Sequence, residues 1–167
     1  MQYDPVKRQL GSVFNRSPFL RKVFYGLLDL LLLRAWHVHK ELRLWMRARP
    51  TGMNLGDISI YDAGAGYGQY SYWMSGHMPT ARITAIDVKD EQVADCNGFF
   101  TAIGRPQVKF EVGDVTKYTK PGAYDLVVCV DVMEHILEDE AALRCYSTSL
   151  KPGGILIIST PSEQGGS

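Results

Sequence analysis

Cysteine is scarce in this sequence. Only three of the 167 residues are cysteines, and no two of them form a CxxC pair. An odd number without framework spacing argues against a disulfide scaffold and against a zinc site. We therefore expect Cys96, Cys129 and Cys145 to be reduced thiols in the core of a cytoplasmic protein, and we predict no metal site.

Long apolar runs are also missing. The densest apolar block, Leu27, Leu28 and Leu30 to Leu33, contains Asp29 and is shorter than the ~20 residues that a membrane-spanning helix needs. The block begins late in the chain and lacks a small-residue cleavage site, so a secretory signal is not predicted either.

Neither sign of charge is in excess, but the charges are unevenly spread. Residues 1–50 hold ten Lys/Arg and three Asp/Glu, giving +7, and residues 51–167 hold eight and fifteen, giving −7. The first part should therefore attract the second, or an anionic partner. The length and an apolar content of 46% suit one soluble domain. We divide the chain into a helical extension over residues 1–50 and a core domain over residues 51–167.

The extension is predicted to be helical after an irregular start. Ser17-Pro18 is typical of a helix N-terminus, and the chain from Phe19 to about Arg49 predicts one long helix or two shorter ones, ended by Pro50-Thr51-Gly52. We favour a cap that packs on the core domain and covers its site. A basic amphipathic segment on a membrane surface or a partner is the alternative, and the breadth of the leucine block leaves a homodimer contact open.

A glycine-rich stretch is the centre of the core domain. An apolar strand from Ile58 runs through Asp62 into glycines at 64, 66 and 68, and a helix should follow from Gln69 to about His77. Such a strand–turn–helix holds nucleotide-like ligands in α/β proteins. The dinucleotide fingerprint requires glycine where Gln69 stands, so dinucleotide binding is disfavoured. Asp62 suits a cationic ligand and would repel a diphosphate.

Acidic residues follow several later strands, whose carboxyl ends should meet at one edge of a parallel sheet. Asp87 ends the second strand, where it can accept the hydroxyls of a ribose or cap the following helix. Asp114 follows the third strand, and Asp131 to His135 follow the apolar fourth strand. The predicted elements are strands over 82–86, 108–112, 124–130 and 155–161, and helices over 90–103 and 138–150, with a turn at 151–154.

The run Asp62-Ala63-Gly64-Ala65-Gly66-Tyr67-Gly68 resembles the signature of class I S-adenosylmethionine-dependent methyltransferases, and the likeness continues in order from about residue 55 to 161. The resemblance implies a Rossmann-like three-layer α/β sandwich that binds S-adenosylmethionine and releases S-adenosylhomocysteine. The implied cofactor residues are Asp62, Gly64, Ala65, Gly66 and Gly68 at the methionine part, Asp87 and Val88 at the ribose, Asp114 and Val115 at the adenine, and Asp131.

The segment around Glu134-His135 resembles the same place in small-molecule methyltransferases, including the quinone-biosynthesis type. His135 is the histidine placed to act as a general base on an acceptor hydroxyl, or else it stabilises the start of a helix. The family's sheet usually has seven strands. The sequence ends six residues after Pro161, so we expect a domain truncated after the fifth strand, or one whose missing edge another chain supplies.

The prediction for function is therefore a methyltransferase that acts on a small molecule. The Asn/Asp-Pro-Pro-aromatic motif of adenine-amino methyltransferases and the Pro-Cys nucleophile of the cytosine type are absent, which disfavours nucleic acid as the acceptor. The basic helices leave a lipid-like or RNA substrate open. A non-catalytic binding module with the same fold is the alternative from another class.

Overall fold

The computed structural model describes residues 17–48 and 58–161. The predictions for the irregular N-terminal lead-in, for the boundary at residues 50–52 and for the residues after Pro161 lie outside these ranges. Within them, six segments form helices and five form strands. In chain order these are α1 Pro18–Leu31, α2 Leu33–Arg47, β1 Ser59–Ala63, α3 Gln69–His77, β2 Arg82–Asp87, α4 Asp90–Ala102, β3 Val108–Val112, β4 Tyr124–Val130, a 3₁₀ turn Met133–His135, α5 Asp139–Ser149 and β5 Leu150–Ser159.

The five strands form one sheet in the order β3-β2-β1-β4-β5, and every pair is parallel. The order reverses at β1, with β2 on one side of it and β4 on the other. Open α/β sheets bind ligands beyond the carboxyl ends of their strands at such a reversal. The predicted α/β architecture is confirmed.

The sheet is covered by helices on both faces, because successive residues of a strand point in opposite directions. On one face Ile60 packs with residues of α1 to α4. On the other, Tyr61 packs with Ala142 and Tyr146 of α5. The continuous apolar sequence of β4 agrees with burial on both faces.

Residues 17–48 form two consecutive helices, α1 and α2, rather than one, and we call this helical pair the hairpin. Ser17 caps α1 through its side chain, which accepts from the amide of Phe19 at 3.2 Å. The break falls at Leu32, whose φ of −98° and ψ of 104° are extended. On α2, His39 stacks on Trp73 of α3 with ring centroids 4.5 Å apart. Burial lowers the pKa of His39, so this contact holds a neutral imidazole in the interface between hairpin and domain.

The start of β5 differs from the prediction. The turn expected at residues 151–154 is part of the strand, which begins at Leu150 directly after α5. Tyr124 pairs with Leu150 and Leu126 pairs with Ile155, so β5 has extra residues opposite β4 at this point. The register of the two strands shifts there, as at a β-bulge. Gly153 makes this shape accessible with a φ of 78°.

Candidate functional site

The glycine loop between β1 and α3 is held by left-handed backbone at three places. Gly64, Gly66 and Gly68 have φ values of 71°, 52° and 78°. At Gly64 a Cβ would lie 2.3 Å from Val132, and at Gly68 it would lie 2.8 Å from Phe110. At Gly66 a Cβ would meet nothing within 4 Å. The first and third glycines are therefore required by packing, and the middle one borders open space.

Asp87 ties this loop to the end of β2. Its Oδ2 accepts the amide of Gly66 at 2.8 Å, and its Oδ1 accepts the amide of Lys89 at 3.0 Å. The amides of Gly64 and Ala65 donate to the carbonyl of Ile86, at 2.8 and 3.0 Å. The second bond closes a turn that leads into α4, but it is not a helix cap, because the N-cap residue of α4 is Lys89 and no side chain caps that helix. The capping alternative for Asp87 is therefore wrong. Each carboxylate oxygen keeps a further lone pair that a ligand can use.

Asp62 lies beneath the loop, 3% exposed, and its Oδ2 accepts the hydroxyl of Ser71 on α3 at 2.6 Å. Burial raises its pKa to about 6, against the lowering effect of the bonds from Ser71, and the nearby charge of Asp87 raises it further. The side chain therefore joins β1 to the first turn of α3, and it titrates close to neutral pH.

Asp114 and Val115 follow β3. The Oδ1 of Asp114 accepts the amide and the hydroxyl of Thr116, at 2.9 and 2.7 Å, and these bonds hold the pKa of this carboxyl below its usual value. These bonds close a turn directly after β3. Val115 is buried in the core, whereas Val88, which follows β2, is exposed.

Asp131, directly after β4, has a φ of 58°, uncommon for a residue with a side chain. Its amide donates to the carbonyl of Ser159 at 2.9 Å, which joins the ends of β4 and β5. Its Oδ2 forms an ion pair with Arg34 of α2, and its Oδ1 is buried without a hydrogen-bond partner. A buried acceptor of this kind suits a donor from a ligand.

His135 lies at the end of the 3₁₀ turn and is exposed. The neighbouring Glu134 is also exposed, and its Oε2 accepts the hydroxyl of Thr160 at 3.1 Å. The bond from Thr160 to Glu134 places His135 near the end of β5. Among residues 17–48 and 58–161, no hydrogen bond fixes the orientation of its ring.

The hairpin contacts the glycine loop directly, through polar side chains that the sequence analysis did not single out. Arg21 donates to the carbonyl of Tyr67 at 2.9 Å, and the hydroxyl of Tyr25 donates to the same oxygen. Asp29 accepts the amide group of Gln69 at 2.7 Å. Arg21, Tyr25 and Asp29 are spaced four residues apart and so share one helical face. Polar residues at this spacing within an otherwise apolar helix are the sequence feature that could have predicted these contacts.

No group of three His, Cys, Asp or Glu side chains within residues 17–48 and 58–161 is arranged to hold a metal ion. The three cysteines are free and buried. The carboxyl ends of β1 and β2 thus bring together the glycine loop, Asp62 and Asp87. The segment after β4 adjoins the same loop, because Val132 packs against Gly64.

Residues 60–154 match a family described as "Methyltransferase domain". This span is more than half of the chain, and the chain belongs to that family. The resemblance to class I S-adenosylmethionine-dependent methyltransferases is confirmed, and with it the prediction of S-adenosylmethionine as the family's methyl donor.

Among curated proteins, the chain is 32% identical over 114 residues to a ubiquinone biosynthesis O-methyltransferase of Xanthomonas euvesicatoria, covering 66% of this chain and 46% of that protein. The chain spans about half the length of the curated relatives it matches.

Solved structures that share the fold include a cyclase and an N-methyltransferase. The structure of the [4+2]-cyclase SpnF has a TM-score of 0.59 and 28% identity, covering 62% of this chain and 38% of that one. Phosphoethanolamine N-methyltransferase 2 of Haemonchus contortus, in complex with S-adenosyl-L-methionine, has a TM-score of 0.61 and 21% identity, covering 76% and 30%. The second likeness bears on the fold alone.

Proposed function

We propose that this chain provides the cofactor-binding part of an enzyme that transfers a methyl group from S-adenosylmethionine to a small molecule. The observation that carries the proposal is the bond between Gly66 and Asp87, because it joins an open glycine loop to an acid at the end of the neighbouring strand. Family membership supports the identity of the cofactor.

Asp87 is assigned to the ribose. Its two oxygens already accept one backbone amide each, which fixes the plane of the carboxylate before a ligand arrives. The remaining lone pairs can accept two hydroxyl donors. Val88, exposed beside it, would cover the sugar with an apolar side chain.

The glycine loop is assigned to the methionine part of the cofactor. Gly64, Ala65, Gly66 and Gly68 shape the backbone there, and the open side of Gly66 leaves room for close approach. Asp62 adds negative charge that favours an ammonium or a sulfonium, whereas the charge of Asp131 is already paired with Arg34 and only its Oδ1 is offered. The buried, unpartnered oxygen of Asp131 supports this assignment.

Asp114 and Val115 are assigned to the adenine. The bonds from Thr116 keep the carboxyl of Asp114 ionised and therefore able to accept from an amino group. Its Oδ1 is occupied by Thr116, and its Oδ2, which lies 3.4 Å from Nζ of the exposed Lys117, is the oxygen proposed for the base. Val115, buried in the core, fixes the position of the turn.

The acceptor is proposed to be a small molecule with a hydroxyl group, as the names of the curated relatives suggest. When bound, S-adenosylmethionine supplies an electrophilic methyl group, so the chain's own task is to position the acceptor and take its proton. His135 is assigned as that base because it is exposed beside the end of β4. The free, buried cysteines support a cytoplasmic location.

Titration calorimetry of the protein with S-adenosylmethionine, S-adenosylhomocysteine and NAD tests the cofactor assignment. We expect micromolar binding of the first two and none of NAD. Transfer of a radiolabelled methyl group to a set of small phenols and alcohols then tests the activity. Turnover that His135→Gln lowers, with the cofactor Kd unchanged, supports the base.

A function without methyl transfer is the second candidate, favoured by the likeness to a protein named as a cyclase. It predicts that the full-length protein binds S-adenosylmethionine and releases it unchanged in the presence of every acceptor. Tight NAD binding would instead overturn both candidates, since neither uses a dinucleotide.

A further inference from the structure

The outward side of the hairpin is apolar where a soluble helix is normally polar. Along α1 and into α2, six large apolar side chains are between 44% and 75% exposed. They are Phe19, Val23, Leu27, Leu30, Leu31 and Leu33, and we call them the outer face. Single exposed leucines are ordinary, but a contiguous set of this kind marks an interaction site.

The inward side of α1 carries polar residues, so the apolar side chains of this helix are left on its outward side. Arg21 is only 3% exposed, and its guanidinium donates to the carbonyl of Tyr67. Tyr25 and Asp29 likewise bond to the glycine loop and to α3. With these polar contacts fixing the inner side, α1 cannot rotate to bury Val23 or Leu27 without leaving a buried arginine and tyrosine unpaired.

Positive charge borders the outer face. Lys22 lies on α1 beside the apolar side chains, and Lys40 and Arg47 lie on the exposed side of α2. Trp36, 57% exposed, lies in sequence between Leu33 and Lys40 on α2. Apolar side chains bordered by lysine, arginine and tryptophan form the pattern of helices that lie in the interface of an anionic bilayer.

We infer that the outer face docks this protein on an anionic lipid bilayer, with α1 lying along the surface. The proposed contact is peripheral, because α1 would lie along the surface. None of the described helices is long and apolar enough to cross a membrane. A second copy is a poorer occupant, because symmetric pairing would bring the exposed Lys22, Lys40 and Arg47 of one copy towards those of the other. Anionic headgroups complement that charge instead. The inference does not depend on methyl transfer.

Flotation of the purified protein with vesicles tests the inference. We expect the protein to float with phosphatidylglycerol-containing vesicles at low salt and several-fold less with pure phosphatidylcholine. Leu27→Gln with Leu30→Gln should abolish flotation. Leu143→Gln is the matched control, because Leu143 is exposed on α5, on the opposite side of the sheet. Its flotation should equal that of the wild type.

Two further variants separate the contributions. Lys22→Gln with Lys40→Gln should lower binding to anionic vesicles and weaken its salt dependence. Addition of vesicles should shift the tryptophan emission to the blue, and Trp36→Phe should remove most of that shift. Circular dichroism checks that each variant is folded, and the single substitution Leu30→Gln replaces the double one if the latter is not.

Three results would overturn the inference. The wild type could fail to float with either kind of vesicle. It could float equally well after the double substitution of the outer face. Sedimentation could show a dimer without vesicles that Leu27→Gln with Leu30→Gln converts to a monomer, and the face would then be an interface between copies of this chain.

Discussion

The amide of Gly66 donates to Oδ2 of Asp87 at 2.8 Å, so the loop after β1 and the end of β2 form one unit. Removal of this carboxylate therefore acts on the loop and on the proposed ribose contacts together. The consequence is a stronger effect on ligand affinity than a surface acid would have.

Asp87→Ala should weaken S-adenosylmethionine binding by about 2 kcal/mol, since charge-assisted hydrogen bonds contribute roughly 1.5–3 kcal/mol each. Calorimetric titration measures the change. Asp90→Ala is the control, because Asp90 is an exposed acid in the first turn of α4. An unchanged Kd for Asp87→Ala would remove the ribose assignment.

The loop glycines should respond differently to a methyl group. Gly64→Ala forces a φ of 71° on alanine and places its Cβ 2.3 Å from Val132, so we expect a loss of about 2–4 kcal/mol in the free energy of unfolding. Gly66→Ala adds only the strain of a left-handed backbone, so we expect a loss of about 1 kcal/mol in the free energy of unfolding. Its larger effect should be on cofactor affinity, because its methyl group points into open space at the proposed site.

Urea denaturation and calorimetry separate these effects. Gly98→Ala is the control, since Gly98 is exposed on α4 with nothing within 4 Å of its Cβ position. It should raise stability by about 0.5–1 kcal/mol. Val132→Ala should recover part of the loss caused by Gly64→Ala, and additivity of the two would contradict the proposed clash.

The hairpin should influence the loop through Tyr25. Tyr25→Phe removes a donor to the carbonyl of Tyr67 and leaves the Nε of Arg21 without its 2.8 Å acceptor. We expect a loss of about 1–3 kcal/mol in stability, as for other buried groups left unpaired, and a several-fold rise in the Kd for the cofactor.

Urea denaturation measures the stability of Tyr25→Phe, and calorimetric titration of the same samples measures its Kd for the cofactor. Lys22→Met, an exposed change on the same helix, should stay within about 0.5 kcal/mol of the wild type. Lower stability with an unchanged Kd would show that the hairpin supports the fold without shaping the loop.

The sheet and its acids could be predicted from the sequence because each is a local pattern. The strands β1 to β4 were recognised from apolar runs, and the turn after β1 from its alternating glycines. A parallel sheet then places Asp62 and Asp87 on neighbouring strands at one edge, and the structure pairs Asp62 with Ala85 in register. Period and turn chemistry were sufficient for these elements.

The contacts of the hairpin could not be predicted, because their partners are far away in sequence. Arg21 bonds to residues 46 and 74 positions later, and Arg34 reaches Asp131. No glycine or proline marks the break between α1 and α2 at Leu32, and leucine is a strong helix former. Only the tertiary structure decides such a break. The irregular start of β5 depends on the register against β4 in the same way.

Asp62 should make stability depend on pH. Burial raises its pKa to about 6 in the folded protein, above the ~3.9 of an unfolded chain. The folded state therefore binds the proton more tightly, and the free energy of unfolding falls as pH rises from about 4 to about 6, then stays level. Asp62→Asn removes this dependence, so the variant should exceed the wild type in stability by about 3 kcal/mol near pH 7, at about 1.36 kcal/mol per pKa unit.

Urea denaturation across this pH range measures the effect. The advantage of Asp62→Asn should vanish towards pH ~4, where the wild-type carboxyl is protonated as well. The same variant should bind S-adenosylmethionine more weakly, because a negative charge beneath the loop is lost. Glu91→Gln, an exposed change on α4, is the control and should follow the wild-type profile. If Asp62→Asn follows it too, the carboxyl is already ionised at low pH, and the bond from Ser71 outweighs the cost of burial.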